Sequence, residues 1–350
     1  MQSPTTFKRN NTITIPVLGD LVKEPEDSKE INDIDYEPVA DENIPIDFFQ
    51  NISGMKSSHT FSLIDFHSNI DPKLLELPPL PKMKSSTFSE VFDQKIELCN
   101  YICDFYNPDL DKKAKVEKKN ALEEIYNIIS KQELVYKFQT DQITQVLTMC
   151  KNNIIRNLPV LNYHQIFSED LPPVSDPSWP HLNLVYQILL YSLQYFDEHP
   201  MFTFQFILDL LPMMQSPDPT ERQLIDKFII QYLKCREGKS TKSFNSILLQ
   251  ELSRLLNNHI ESNTPPFIVG PILQIYNHIF QCTRQDANTT SKVYNQILRL
   301  LSDYHLSTYE DQFYSIIDFF SDESSAFALM LAKALVLHWP KTCAEKEASF

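Results

Sequence analysis

One stretch restricts what this chain can fold into more than any other. It reads Ser178-Trp179-Pro180-His181-Leu182-Asn183-Leu184-Val185-Tyr186-Gln187-Ile188-Leu189-Leu190 and runs on to Phe196. Leu182, Val185, Tyr186, Leu189, Leu193 and Phe196 recur at three- and four-residue spacing, which is one face of a helix. Leu184, Ile188, Tyr191 and Tyr195 make a second stripe beside it. Proline at the start is tolerated because the N–H it lacks has no partner in a first helical turn. A helix apolar on most sides must be covered by neighbours on most sides, so it belongs inside a stack of helices.

The rest of the chain supplies the stack. Amphipathic patterns occupy residues 89–106, 114–131, 139–156, 181–196, 201–214, 219–236, 241–260, 267–282, 289–305, 309–321 and 324–339. Thr140 or Asp141 can cap the third pattern, whose stripe is Ile143, Val146, Leu147, Cys150 and Ile154. The sixth has the clearest start, with Asp218 as N-cap, Pro219 at the first helical position and Glu221 placed for a capping box. Its stripe is Ile225, Phe228, Ile229 and Tyr232, with Asp226, Lys227, Gln231 and Lys234 expected outward.

Only four glycines, Gly19, Gly54, Gly238 and Gly270, accompany 23 prolines in 350 residues. Doubly wound sheets and barrels spend glycine on their turns and phosphate loops, so both are disfavoured. No strand or hairpin signal stands out. Helices near 201, 241, 289 and 324 begin about 35–48 residues apart, two helices per step, which is the period of HEAT-type repeats. The expected fold is an all-α, HEAT-like helical-repeat solenoid of about five helical hairpins over residues 81–350, preceded by an acidic tail over 1–80.

Residues 1–80 hold 14 acidic and 6 basic side chains. Between Asp20 and Asp47 lie eleven acidic residues and two lysines, with prolines and no sustained periodicity. Too little apolar surface is available there to offset the entropy of ordering, so disorder is expected. Leu77-Pro78-Pro79-Leu80-Pro81 marks the start of the folded body. The formal charge of −15 disfavours nucleic acid as the main partner, because phosphate binding needs clustered lysine and arginine. The local run Lys112, Lys113, Lys115, Lys118, Lys119 reads as a solvated helix face.

The six cysteines are scattered, mostly on apolar faces; no signal peptide and no membrane-length apolar run is present. Reduced thiols, a cytoplasmic or nuclear location and no membrane association are expected. Catalytic signatures are absent: there is no Gly-x-Ser-x-Gly, His-Glu-x-x-His, Gly-rich phosphate loop or Cys-x-x-Cys. Cys99 and Cys103 read as core residues. Asp109-Leu110-Asp111 hints at a calcium loop but lacks its glycine and closing glutamate. The histidines show no ligand spacing, so no metal and no cofactor is expected. Trp179 and Trp339, each followed by proline, either anchor the ridge of the solenoid or contact a partner.

At these residues the chain resembles the B-prime regulatory subunits of protein phosphatase 2A. Trp179-Pro180-His181-Leu182-x-Leu184-Val185-Tyr186 matches the opening of a central repeat in that family, and Asp218-Pro219-x-Glu221-Arg222 its inter-helix turn. Leu77-Pro78-Pro79-Leu80, Phe92-x-Gln94-Lys95 with Cys99, and Asp104-Phe105 are similar to its N-terminal repeat. Arg156-x-Leu158-Pro159 fits the segment after its second hairpin, and Trp339-Pro340-Lys341-Thr342 with Lys346-Glu347 and Phe350 continues the match.

The resemblance implies a non-catalytic subunit that binds the scaffold and catalytic subunits of the phosphatase and chooses phosphoprotein substrates. On that basis Trp179, Pro180, His181, Asp218, Pro219, Glu221, Arg222, Trp339 and Lys341 are candidate partner-binding residues. Family members read a Leu-x-x-Ile-x-Glu peptide with a His-Arg pair, a Tyr and a later Arg. Counted from Arg222, those positions are Ile230, Gln231, Leu233 and Ser240, and none is retained. Ile230 and Leu233 are expected to stand off the core stripe, apolar where the family is polar. A bound glutamate would lose its charge-assisted partners there. The family normally continues for several helices past the segment matching Trp339 to Phe350, which implies either a truncated product or a shortened subunit with a weaker catalytic contact. The alternative is a helical-repeat adaptor that has lost phosphatase assembly.

Overall fold

The computed structural model describes residues 70–135, 137–158, 174–237, 242–262 and 264–339. The chain divides into Met1–Phe61 and Ser62–Phe350; the first unit lies outside the described residues, and of the tail expected to be disordered only residues 70–80 are described, where a turn packs on the core instead. Eleven helices match the eleven sequence patterns: α1 (Phe88–Asn100), α2 (Lys112–Ile129), α3 (Thr140–Ile154), α4 (Trp179–Tyr195), α5 (Phe204–Leu210), α6 (Pro219–Cys235), α7 (Lys242–Ser262), α8 (Val269–Cys282), α9 (Ala287–Arg299), α10 (Glu310–Glu323) and α11 (Ser325–His338). A single turn, Gln132–Val135, sits between α2 and α3, and no strand occurs among the described residues.

The helices form two layers. Even-numbered helices stack in chain order, α2 on α4, α4 on α6, α6 on α8 and α8 on α10. In the other layer α1 packs on α3, α5 on α7, α7 on α9 and α9 on α11. Within hairpins α1 meets α2, α3 meets α4, and α7 meets α8. Most helices thus touch a sequence neighbour or the helix two positions on, which is the packing logic of a HEAT-like solenoid. α4 is the most enclosed, lying against α2, α3 and α6, with Leu182, Val185, Tyr186, Ile188, Leu189, Leu190 and Leu193 buried. Its two stripes are both satisfied because two layers close over it.

Local chemistry sets the boundaries. Thr203 caps α5 by accepting from Phe206 N at 3.2 Å, and Asp286 caps α9 by accepting from Thr289 N at 2.9 Å. The expected helix over 201–214 is shorter: α5 stops at Leu210 and a 3-10 turn carries Leu211–Gln215. Pro212 has no N–H for an α-helical bond, which ends the helix there. The first pattern also overran, since α1 ends at Asn100. At α3 the cap is Gln139, not Thr140 or Asp141, with Gln139 and Gln142 side chains reciprocally bonded to backbone N–H groups.

Before α1, a 3-10 turn at Pro72–Glu76 brings Leu74, Leu75, Leu77 and Leu80 against the core, and Leu80 N donates to Glu124 Oε2 at 2.9 Å. At the other end α11 is apolar all round, yet Leu329, Val336 and Leu337 are exposed.

The lysine run on α2 departs from a solvated face at Lys118, while Lys112, Lys113 and Lys119 are exposed as expected. Lys118 is 2% exposed, and its Nζ donates to Tyr101 O and Asn153 Oδ1, both at 2.7 Å. It shares a stripe with Ala114, Ala121, Leu122 and Ile125, so helical geometry carries it inward. Two strong acceptors and the length of its alkyl stem make that position tenable. Asp111 accepts from Tyr101 OH and Asp104 N, so the calcium-loop hint resolves into a turn tie. Burial pushes the Cys99 thiol up to about 12 and Cys103 to about 11, which leaves both protonated and inert.

Candidate functional site

The opening of α4 and the turn into α6 meet around a buried ion cluster. Arg156, just past α3, places Nη1 2.6 Å from Glu221 Oε1 and Nη2 3.0 Å from Glu221 Oε2, a bidentate pair. The same Nη2 donates to Asp176 Oδ2 at 2.7 Å, and Nη1 to Ile154 O at 3.3 Å. Tyr186 OH donates to Glu221 Oε1 at 2.8 Å from the middle of α4. Asp176 also accepts from Ser178 N at 2.8 Å, and its own N–H donates to Asp218 Oδ2 at 3.2 Å. Asp218 caps α6 through Thr220 N at 2.8 Å, and Arg222 Nη1 donates to Ser216 O at 2.6 Å. The Arg222 guanidinium also lies 4.8 Å above the Phe267 ring.

The electrostatics follow from burial. Glu221 is 0% exposed and Asp218 3%. Burial works against the charge on Arg156, but its bonds to Glu221 and Asp176 outweigh that, so the guanidinium holds its proton above the ordinary value. Burial likewise opposes ionisation of Asp176, and the Arg156 and Ser178 bonds again outweigh it, holding the carboxyl below the usual range. For Tyr186, burial and the adjacent Glu221 carboxylate both raise the phenol well above 10.

This placement changes the meaning of several expected partner residues. Asp218, Pro219, Glu221 and Arg222 do gather in space, with Asp218 and Glu221 buried in a joint between elements and Pro219 and Arg222 partly exposed beside it. His181 is also buried, donating Nε2–H to Lys115 O at 2.8 Å with its ring 4.7 Å from Phe105. Burial pushes its imidazole down to about 4, with Lys118, Lys119 and Lys115 acting in the same direction, so it is neutral at physiological pH. Trp179 is half-buried, 6.5 Å from the Tyr186 ring, while Pro180 and Trp339 are exposed. Lys341 lies outside the described residues.

The capping box expected at α6 is only half formed. Asp218 caps, but Glu221 turns to Arg156 and Tyr186, and Asp218 N donates to Ser216 Oγ at 3.2 Å instead. Arg156 appeared in the sequence only as part of a matched segment, and Asp176 not at all. Their 20- and 65-residue separations from partners leave no local periodicity to detect.

The expected peptide-groove positions lie toward the far end of α6. Ile230 and Gln231 are half-buried, and Leu233 is 7% exposed, a core residue rather than an outward one. The expectation that Leu233 stands off the core fails because α6 is covered by α8 as well as by α4, and Leu233 joins the core cluster with Ile279. Asp226 and Lys227 split, since Asp226 is buried and Lys227 exposed. Ser240 lies outside the described residues. Among the described residues one cluster has metal-capable donors close together, Glu237, His278 and Cys282, just past the C-terminus of α6.

Comparison with known proteins places the helical stack in a family. Residues 77–350 match the family described as protein phosphatase 2A regulatory B subunit (B56 family). The chain is 27% identical over 310 residues to the mouse (Mus musculus) serine/threonine-protein phosphatase 2A 56 kDa regulatory subunit beta isoform, covering 84% of this chain and 59% of that protein. It is 26% identical over 291 residues to the human alpha isoform, covering 79% and 57%. It is also 26% identical over 298 residues to the Caenorhabditis elegans regulatory subunit pptr-1, covering 79% and 51%. The chain therefore spans somewhat over half the length of these relatives. Because the family match over residues 77–350 takes in every helix from α1 to α11, the chain belongs to the B56 family of protein phosphatase 2A regulatory B subunits.

Proposed function

We propose that this chain acts as a regulatory subunit of a protein phosphatase 2A holoenzyme. Its solenoid binds the scaffold and catalytic subunits and holds phosphoprotein substrates near the catalytic centre. Raising a substrate's effective concentration accelerates its dephosphorylation without any chemistry from this chain. Phosphoester hydrolysis would be the catalytic partner's task. The observation that carries this reading is the family match over residues 77–350, which spans the whole helical stack. We place the folded regulatory domain at residues 81–350, with 1–80 as an acidic tail, and the protein in the cytoplasm or nucleus.

Partner contact falls to the exposed members of the expected set, Pro180 and Trp339, while the Arg156–Glu221 joint fixes the angle between successive hairpins. The test is co-purification of the tagged full chain from cells. Scaffold and catalytic subunits recovered together support the reading; their absence points to an adaptor that keeps the fold alone.

Recognition of a Leu-x-x-Ile-x-Glu peptide is expected to be lost. Ile230, Gln231 and buried Leu233 offer a peptide glutamate no cationic fork. Titrating a labelled peptide of that motif against the full chain should give no saturable binding, and micromolar affinity would contradict this.

A further inference from the structure

α6 ends at Cys235, and the turn through Arg236 brings Glu237 against the last turn of α8. On α8, His278 and Cys282 are four residues apart and share one helix face. The donor atoms of all three lie within 4.8 Å of one another. His278 Nε2 is 3.7 Å from Glu237 Oε1, and Cys282 Sγ is 3.9 Å from that nitrogen.

We propose that Glu237, His278 and Cys282 form a binding site for a zinc-class divalent cation, with a fourth coordination position open to the adjoining cavity. Bond lengths of about 2.0 Å to nitrogen or oxygen and about 2.3 Å to sulfur imply tetrahedral ligand separations of roughly 3.3–3.5 Å. The two separations from His278 Nε2 are a few tenths of an ångström longer and the Glu237–Cys282 pair lies within 4.8 Å, so side-chain rotation must draw the three donors together. One carboxylate, one imidazole and one thiol suit zinc and its transition-metal neighbours, whereas calcium and magnesium select all-oxygen sites.

Three protein ligands with a free fourth position is the arrangement of an open zinc site. The opening here is a cavity of about 190 Å³, lined also by Leu233, Asn245, Ile279 and Thr283. Asn245 Nδ2 donates to Thr283 Oγ1 at 3.3 Å, so part of the wall is polar. Water or a small anionic group fits that position.

The protonation states are compatible. Burial, with Lys234 adding to it, lowers the His278 imidazole below its ordinary value, so the neutral, ligating form prevails. Burial and Glu237 raise the Cys282 thiol when no cation is present. On binding, the thiol would lose its proton to solvent and ligate as thiolate. Lys234 is the neighbour whose charge opposes the cation; it is exposed and free to turn away.

Cobalt(II) serves as the probe. Titrated into the chelator-stripped, reduced full chain, it should give one equivalent of a near-ultraviolet thiolate-to-cobalt band with tetrahedral visible bands, all displaced by zinc. Cys282→Ser should lose the thiolate band. His278→Ala and Glu237→Gln should each weaken binding by more than the roughly 100-fold upper end of an outer-shell change. Glu237 and Cys282 are exposed, so their metal-free variants should melt like the parent, and the sulfur and carboxylate readings stand whatever the half-buried His278 contributes to packing. Absence of a thiolate band in the parent, or a band unchanged in Cys282→Ser, would overturn the proposal and leave only a polar trio at a helix end.

Discussion

Replacing Arg156 with alanine is expected to cost the fold about 3–5 kcal/mol, the range for stripping one partner from a buried ion pair. The loss is large because Glu221 is 0% exposed and keeps only Tyr186 OH as a donor among its cluster partners. Asp176, 7% exposed at its side chain, loses the same guanidinium. The two carboxylates would then face each other's charge in a site from which water is largely excluded. Urea denaturation followed by Trp179 fluorescence reads this locally, since Trp179 packs beside Tyr186. Adding Glu221→Gln to Arg156→Ala should recover part of the loss, because the orphaned charge, not the missing contact, carries most of it. A loss below about 1 kcal/mol, the value of an exposed pair, would contradict the account. The pH dependence has a defined sign. Asp176 is held below its ordinary value, so its contribution is full above the unfolded carboxylate range and fades as pH falls through the folded value. The gap between parent and variant should therefore narrow in acid.

Asp226→Asn is expected to act in the opposite direction and stabilise the protein at alkaline pH. Asp226 is 6% exposed on α6, its Oδ1 has no hydrogen-bond partner, and burial alone pushes its carboxyl to about 7. The folded state thus holds a proton that the unfolded chain releases near pH 4. Stability from this group is greatest below the unfolded value and falls as pH rises, by about 1.4 kcal/mol per unit, until the folded carboxyl ionises near 7. Thermal melts at pH 5.5 and pH 8 should show the parent losing stability that the variant keeps, with a gain in the variant of about 1–3 kcal/mol at pH 8. Equal pH slopes for the two proteins would mean that Asp226 is solvated after all.

Helices were legible in the sequence because burial imposes a 3.6-residue period that local reading detects. Asp218 as a cap and Val185, Tyr186 and Leu189 as core followed directly from that period. What local reading missed has one physical character: it is decided by partners far along the chain. Glu221 looked like a capping-box glutamate until Arg156, 65 residues upstream, claimed it. Lys118 looked solvated until Tyr101 O and Asn153 bracketed its ammonium. Leu233 lies off the single stripe of Ile225, Phe228, Ile229 and Tyr232, yet is buried because α6 meets both α4 and α8. His278 and Cys282 share an i, i+4 spacing visible in sequence, but their third member, Glu237, sits 41 residues before His278 and belongs to another helix end.

Assembly of this chain into a protein phosphatase 2A holoenzyme, proposed from the family match over residues 77–350, can be tested directly. The most direct measurement mixes the purified full chain with purified scaffold–catalytic dimer and follows it by size-exclusion chromatography with light scattering. The account predicts a single ternary species with one copy of each subunit, destabilised when the joint is broken by Arg156→Ala. A chain that elutes alone at every ratio, while remaining folded, would contradict it.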